Sequence, residues 1–285
     1  MGYAARLQLA QYLVALRDRA GLTLEAVAKE AGCGKSTVAR YETWQDRGAR
    51  TVPTVRSIAG ACQAKPKEIA ALVELVRAPA DGSWIDDPAV PAWMDPLLSI
   101  ERAAAYEHVY ASGLVPGLLQ TRAYAMATYT ASEVRVEPEE VERKVCTRLE
   151  RQEAIHRSDL HLWVVLDESV LRREVGGPLV MAEQIGHLHA MAQRPNVDVQ
   201  VLPFHGGASA AGGGGHFVIL GRDDEQQPMN TMAVVYLEMH RRGVYLDNPE
   251  DLSSYKLTFA YLCSQAIDPA ASLEMLAKMS KEYSR

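Results

Sequence analysis

Residues 24–43, LEAVAKEAGCGKSTVARYET from Leu24 to Thr43, decide how this chain is read. Nearly every position suits two short helices joined by a tight turn. Small Ala28 lets the helices approach, Gly32 permits a positive φ at the turn, and Val27, Ala31, Cys33, Val38 and Tyr41 supply a shared apolar core. Thr23 is placed to cap the first helix, with Leu22 and Val27 at the spacing of a hydrophobic staple, so that helix is predicted over about Leu24 to Ala31. Cys33 or Gly34 opens the second. The positions left outside are Gly34, Lys35, Ser36, Ala39, Arg40 and Thr43, a small polar and basic face. Its first turn carries Lys35, Ser36 and Thr37, donors suited to phosphate oxygens and to the acceptor-rich major groove.

Working outward, Leu9, Leu13 and Leu16 stripe a helix that ends near Gly21. Val55, Ile58, Ala59 and Cys62 do the same after Pro53, and Ile69, Leu72 and Val76 follow Pro66. From about Gln8 to Val76 the spacing, the Ala, the Gly and the apolar positions resemble the phage-repressor-like helix-turn-helix of the XRE family, a five-helix module. The resemblance implies DNA binding through Lys35, Ser36, Thr37, Arg40 and Thr43. The family often has a phosphate-bracing Gln where this chain has Leu24. Its ETWQDRGARTV connection is also longer and more basic than the usual Glu-x-Gly turn, so Arg47 and Arg50 are expected to replace the missing backbone contact.

Charge agrees. Residues 1–77 carry 12 Lys and Arg against 7 Asp and Glu, whereas the whole chain is −6, so the remainder is strongly acidic. A chain of 285 residues, 48% hydrophobic, has room for one further domain beyond the head. The expected division is a helix-turn-helix domain over 1–78, a Pro-rich linker over 79–96 and an α/β domain over 97–285. In the linker Trp84 and Trp93 either pin the segment to the second domain or pack within their own. The four cysteines, Cys33, Cys62, Cys146 and Cys263, lack paired ligand spacing and are read as reduced, with neither zinc nor disulfide. No leader and no apolar run near the roughly 20 residues that span a bilayer is found, so a cytoplasmic protein, nucleoid-associated when bound to DNA, is expected.

Beyond the linker, a helical stretch is predicted from Leu97 to about Arg157, broken at Ser112 to Thr121. There Arg143, Lys144, Arg148 and Arg151 alternate with Glu140, Glu142, Glu150 and Glu153, and Val141, Val145, Leu149 and Ile155 form an apolar side. Such a run reads as a solvated face held by i,i+4 pairs. The period then changes. LHLWVVLDE, VDVQVLPF, HFVILG, MAVVYLEM and GVYLD read as strands of a mixed sheet, with one helix between the first two, a βαβ unit followed by a meander. Two helices from about Pro249 and Pro269 close the domain.

The phrases VPGLLQTRAYA, RLERQEAI, VLDESVLRREVGGP, EQIGHL, RPNVDVQVLPF and VVYLE, in this order, resemble actinomycete regulators that join an XRE-type head to a toxin-antitoxin-like C-terminal domain of the WhiJ type. That resemblance implies a transcriptional regulator, often encoded beside a small partner protein. Two half-sites about one helical turn apart multiply the affinity of a small head, so a homodimer on double-stranded DNA is expected. For the second domain three readings stand: capture of a small protein partner, response to a small-molecule effector, and an enzyme. Near strand ends lie Asp167, Glu168, Arg172, Arg173, His205, His216 and Glu238. Glu168 and Glu238 are candidate inward carboxylates with Arg172 as shared cation, forming either an effector pocket or satisfied buried groups. The glycine-rich segment His205 to Phe217 lacks a Lys after its glycines and precedes a strand, so it reads as a surface loop or lid instead of a phosphate cradle. His187 and His189 point apart on one helix. No nucleophile motif is distinguished, and neither enzyme, cofactor nor metal is expected.

Overall fold

The computed structural model describes residues 1–79, 94–132, 137–224, 231–239 and 242–284. The linker reading, with Trp84 and Trp93, falls largely on residues 80–93 and so outside the described residues. The chain forms two compact units.

The first unit is built from α1 (Tyr3–Arg19), α2 (Leu24–Ala31), α3 (Lys35–Tyr41), α4 (Val52–Ala61) and α5 (Pro66–Arg77). Leu9, Leu13, Leu16, Val27, Val38, Tyr41, Ile58 and Leu72 are buried together, each large aliphatic contributing about 1.5–3 kcal/mol by leaving water. Polar ties brace this core at its rim. Glu42, just past α3, accepts from Arg17 Nε of α1 at 2.8 Å. Glu68, only 8% exposed, accepts from Arg19 Nη1 at 2.8 Å, Arg19 Nη2 at 2.9 Å, the Tyr12 hydroxyl at 2.8 Å and the Lys65 amide at 2.6 Å. The Arg19 fork holds the Glu68 carboxyl down at about 2, while burial and this carboxylate push the Tyr12 phenol up to about 12.

One boundary differs from expectation. Helix α6 (Asp95–Ala103), expected with the second domain, belongs to the first unit, where the Ala4 amide donates to Ser99 Oγ at 2.9 Å. Leu97, Leu98 and Ile100 give it an apolar face that the head's own surface covers.

The second unit is a six-stranded mixed sheet in the order β3-β2-β1-β4-β5-β6, formed by β1 (Tyr106–Ala111), β2 (His161–Asp167), β3 (Val197–Leu202), β4 (Phe217–Arg222), β5 (Met232–Met239) and β6 (Arg242–Leu246). β2 is parallel to both β1 and β3, β4 runs antiparallel to β1, and β6 antiparallel to β5. The predicted βαβ unit is present as β2, α10 (Pro178–Met191) and β3, and the predicted meander as β4, β5 and β6. The predicted helical stretch 97–157 is corrected: β1 interrupts it and occupies the centre of the sheet. Its Tyr106, His108 and Tyr110 alternate with Glu107, Val109 and Ala111, and His108 stacks on Phe259 with ring centroids 4.8 Å apart. Around the sheet lie α7 (Arg122–Ser132), α8 (Pro138–Arg151), α9 (Glu168–Arg172), α11 (Pro249–Gln265) and α12 (Pro269–Tyr283).

On one face Tyr110, Val165, Phe217, Ile219 and Val235 pack with Phe259 and Leu262 of α11. The outer edge of β3 is closed by Ile267, just before α12, and by Ser272 in its first turn. The Val201 amide donates to Ser272 Oγ at 3.0 Å, and the Val201 carbonyl accepts from the Ile267 amide at 3.0 Å, which occupies an edge otherwise open to strand addition.

Candidate nucleic-acid interface

The two helices of the opening stretch form as their residues dictate. Thr23 Oγ1 accepts from the Ala26 amide at 3.2 Å and caps α2. Gly32 takes φ 68°, while the Cys33 amide donates to the Ala28 carbonyl at 2.9 Å and the Gly32 amide to Lys29. This left-handed exit turns the chain into α3, which Gly34 opens. Val38 and Tyr41 face the core, so the remaining positions of α3 face outward.

Of the seven residues read as DNA contacts, Lys35, Ser36, Thr43 and Arg47 are exposed, and Thr37 and Arg40 are half-buried. Lys35 forms an ion pair with Glu25 of α2, which holds the Glu25 carboxyl below its ordinary range. The Thr43 hydroxyl donates to the Ala39 carbonyl at 2.8 Å. The Arg40 guanidinium lies 5.6 Å from the Tyr41 ring centroid, and that of Arg47 lies 5.7 Å from the Tyr3 ring, each stacked and pre-oriented.

Arg50 is placed differently from the sequence reading. Its side chain is 2% exposed. It donates to the carbonyls of Arg40 (2.6 Å), Gly48 (2.7 Å) and Thr43 (2.9 Å) and to Asp46 Oδ1 (3.1 Å), with its guanidinium 5.1 Å from the Tyr41 ring centroid. This inward arginine satisfies the carbonyls at the end of α3 and holds residues 44–50 against them. Asp46 also accepts from the Gly48 amide at 2.8 Å, and these bonds, that of Arg50 first, keep its carboxyl below the usual range. Trp44, 1% exposed, plugs the same loop into the core. The long basic connection is thus an ordered loop, and a tryptophan amid polar residues was its sequence signal.

In the second unit the predicted carboxylates have separate neighbours. Glu168 accepts from Arg172 Nε at 2.6 Å and from the Phe204 amide at 2.9 Å, and so is a satisfied buried group that fixes the turn after β3. Glu238 acts instead on Arg148, His216 and Tyr236; Arg172 is not the shared cation. Asp167 caps α9 through the Ser169 amide at 2.9 Å. The glycine-rich loop is tied to α11 by the Ala210 amide on Gln265 Oε1 at 2.8 Å. The charge run of α8 is also corrected. Lys144 reaches Glu140 at 3.5 Å, but Arg148 turns inward. It sits on the stripe Val141, Val145, Arg148, Gln152 at i, i+4, i+7 and i+11, a spacing that marks the buried side of the helix.

Among the described residues no group of three or more His, Cys, Asp or Glu is placed to hold a metal, and no helix is long and apolar enough to cross a membrane.

The head therefore defines a helix-turn-helix protein, and residues 8–72 match the family model described as a helix-turn-helix domain. Residues 94–278 match that of a domain of unknown function (DUF5753), and the chain belongs to this family. No curated protein and no solved structure matches it.

Proposed function

We propose that the protein is a sequence-specific DNA-binding transcriptional regulator that acts as a homodimer and is modulated through its C-terminal domain. The observation that carries this is the outward face of α3. Val38 and Tyr41 anchor it, Arg50 stiffens its end, and Lys35, Ser36, Thr37, Arg40 and Thr43 stand on its free side. Lys35, Ser36, Arg40 and Thr43 read base edges or brace adjacent phosphates, and Arg47 contacts the backbone.

The test is binding of the purified chain to DNA from upstream of its own reading frame against a scrambled duplex over a range of salt. A specific footprint of two related half-sites is expected, with log affinity falling linearly in log salt at about 0.9 per phosphate contact. Equal binding to both duplexes at every salt overturns the reading.

A protein-partner role for the second domain is favoured by one observation. Leu257 and Tyr261, four residues apart on α11, are 61% and 57% exposed. A short polypeptide from an adjacent reading frame that co-purifies with the chain, and is released by Leu257→Glu, supports an antitoxin-like capture function.

A further inference from the structure

Lys35, Arg40 and Arg47 are the cations that the head turns outward, and among the described residues only Lys35 of these forms an ion pair. Its partner Glu25 stands in the first turn of α2, and Lys35 is the first residue of α3, so the pair bridges the starts of both helices across the turn at Gly32. The Arg40 and Arg47 guanidinium groups lie over aromatic rings instead. The other carboxylates near α3 are engaged elsewhere: Glu42 by Arg17 of α1, and Asp46 by the inward Arg50.

The Lys35 and Glu25 side chains are 58% and 61% exposed, and an ion pair this open adds little to folding. Its consequence lies in the charge it presents to whatever α3 faces. The hydrogen bond from Lys35, first among the causes, keeps the Glu25 carboxyl below its ordinary range, so the carboxylate stays ionised at neutral pH. A phosphate brought to Lys35 therefore also meets a like charge beyond the ammonium. A guanine O6 or N7, or a thymine O4, is uncharged and meets no such repulsion, and the ammonium keeps further N–H donors for it. The pair as a unit carries no net charge, so laying it against the DNA backbone releases no counter-ion.

We infer that Glu25 is a specificity-determining residue, which withholds Lys35 from phosphates and reserves it for a base-edge acceptor in the major groove. This rests on the reading of α3 as the DNA-contacting helix and divides its outward cations by task. Lys35 discriminates between sequences, and Arg47 supplies sequence-independent attraction.

The test compares the full-length parent, Glu25→Gln, and the double variant Glu25→Gln with Lys35→Gln. Binding to the duplex from upstream of the reading frame and to its scrambled counterpart is followed by fluorescence anisotropy from about 50 to about 200 mM salt. In Glu25→Gln the affinity for scrambled DNA should rise about 5-fold at the low-salt end, and that for the upstream duplex by less than about 2-fold. Its salt slope on scrambled DNA should steepen by about 0.9, the increment of one added phosphate contact. The double variant, which loses both charges, should return to the parent slope and lose preference at one operator position. With both side chains exposed, all three proteins are expected to unfold at the same midpoint. A parent that discriminates between the duplexes, beside a Glu25→Gln variant of the same slope and the same affinity ratio, overturns this inference alone. A parent that binds both duplexes alike overturns the regulator reading and this inference with it.

Discussion

The Arg50 guanidinium donates to the Arg40 carbonyl at 2.6 Å, so the last turn of α3 is closed by a side chain that arrives from beyond the following loop. Arg40 faces outward from that turn. One arginine thereby sets the position of the other.

Arg50→Ala removes donors from the carbonyls of Arg40, Thr43 and Gly48 and leaves a cavity under Tyr41. A loss of about 2–4 kcal/mol in head stability is expected, read as a lower unfolding midpoint by circular dichroism. Arg47→Ala, at an exposed residue, leaves the midpoint within about 0.5 kcal/mol of the parent. If both variants unfold alike, Arg50 is not the clamp described.

Arg40→Ala separates base reading from phosphate bracing. If the proposed function holds, affinity falls by about 1–3 kcal/mol and the preference relaxes at one operator position. A mobility-shift series over single-base operator variants checks it. A uniform loss on every sequence makes Arg40 a phosphate contact.

Acid stability should report Glu68. Its folded pKa lies near 2, below the ordinary carboxylate value, so its contribution is complete above about pH 4.5 and is lost as pH falls through 2. With Arg19 half-exposed, this contribution is on the order of 2 kcal/mol. Urea unfolding between pH 2 and pH 7 should slope downward across that window in the parent and flatten in Glu68→Gln. An unchanged slope in the variant places the acid sensitivity on another group.

Gln184 tests how the backbone at Leu119 and Thr121 is held. Fully buried, it accepts from the Thr121 amide at 2.7 Å and donates to the Leu119 carbonyl at 2.7 Å. Gln184→Leu preserves volume and leaves both backbone groups unpaired, so a loss of about 2–4 kcal/mol is expected in denaturant unfolding. A loss below about 0.5 kcal/mol shows that water replaces the amide.

The head was legible because its signals are local: Thr23 at a cap, Gly32 at a left-handed turn, and Val27, Val38 and Tyr41 at helical spacing. Arg50 was misread because a basic residue in a polar loop looks solvated until its carbonyl partners are known. β1 was hidden for a related reason. Glu107 and His108 give YEHVYA a polar look, but both lie in the sheet's interior, where Glu107 is buried and His108 is stacked between aromatic rings. The inward turn of Arg148 escaped because its partner Gln120 is remote in sequence, although Arg148 stood on the apolar stripe of α8. Glu168 is buried as expected, but Glu238 is exposed and so is not the inward carboxylate expected, and topology gave the two different neighbours.

The central place of β1 also bears on how the polypeptide is made. Tyr106 pairs with His161 on one side and with Gly221 on the other, so β1 leaves the ribosome well before either neighbouring strand. The core shared by α1 to α5 closes on contacts between Leu9 and Leu72 and can fold while translation continues; the sheet must wait for distant partners, which makes it the slower step. During synthesis, then, a nascent chain carries the helix-turn-helix core before the sheet of the second unit has taken shape.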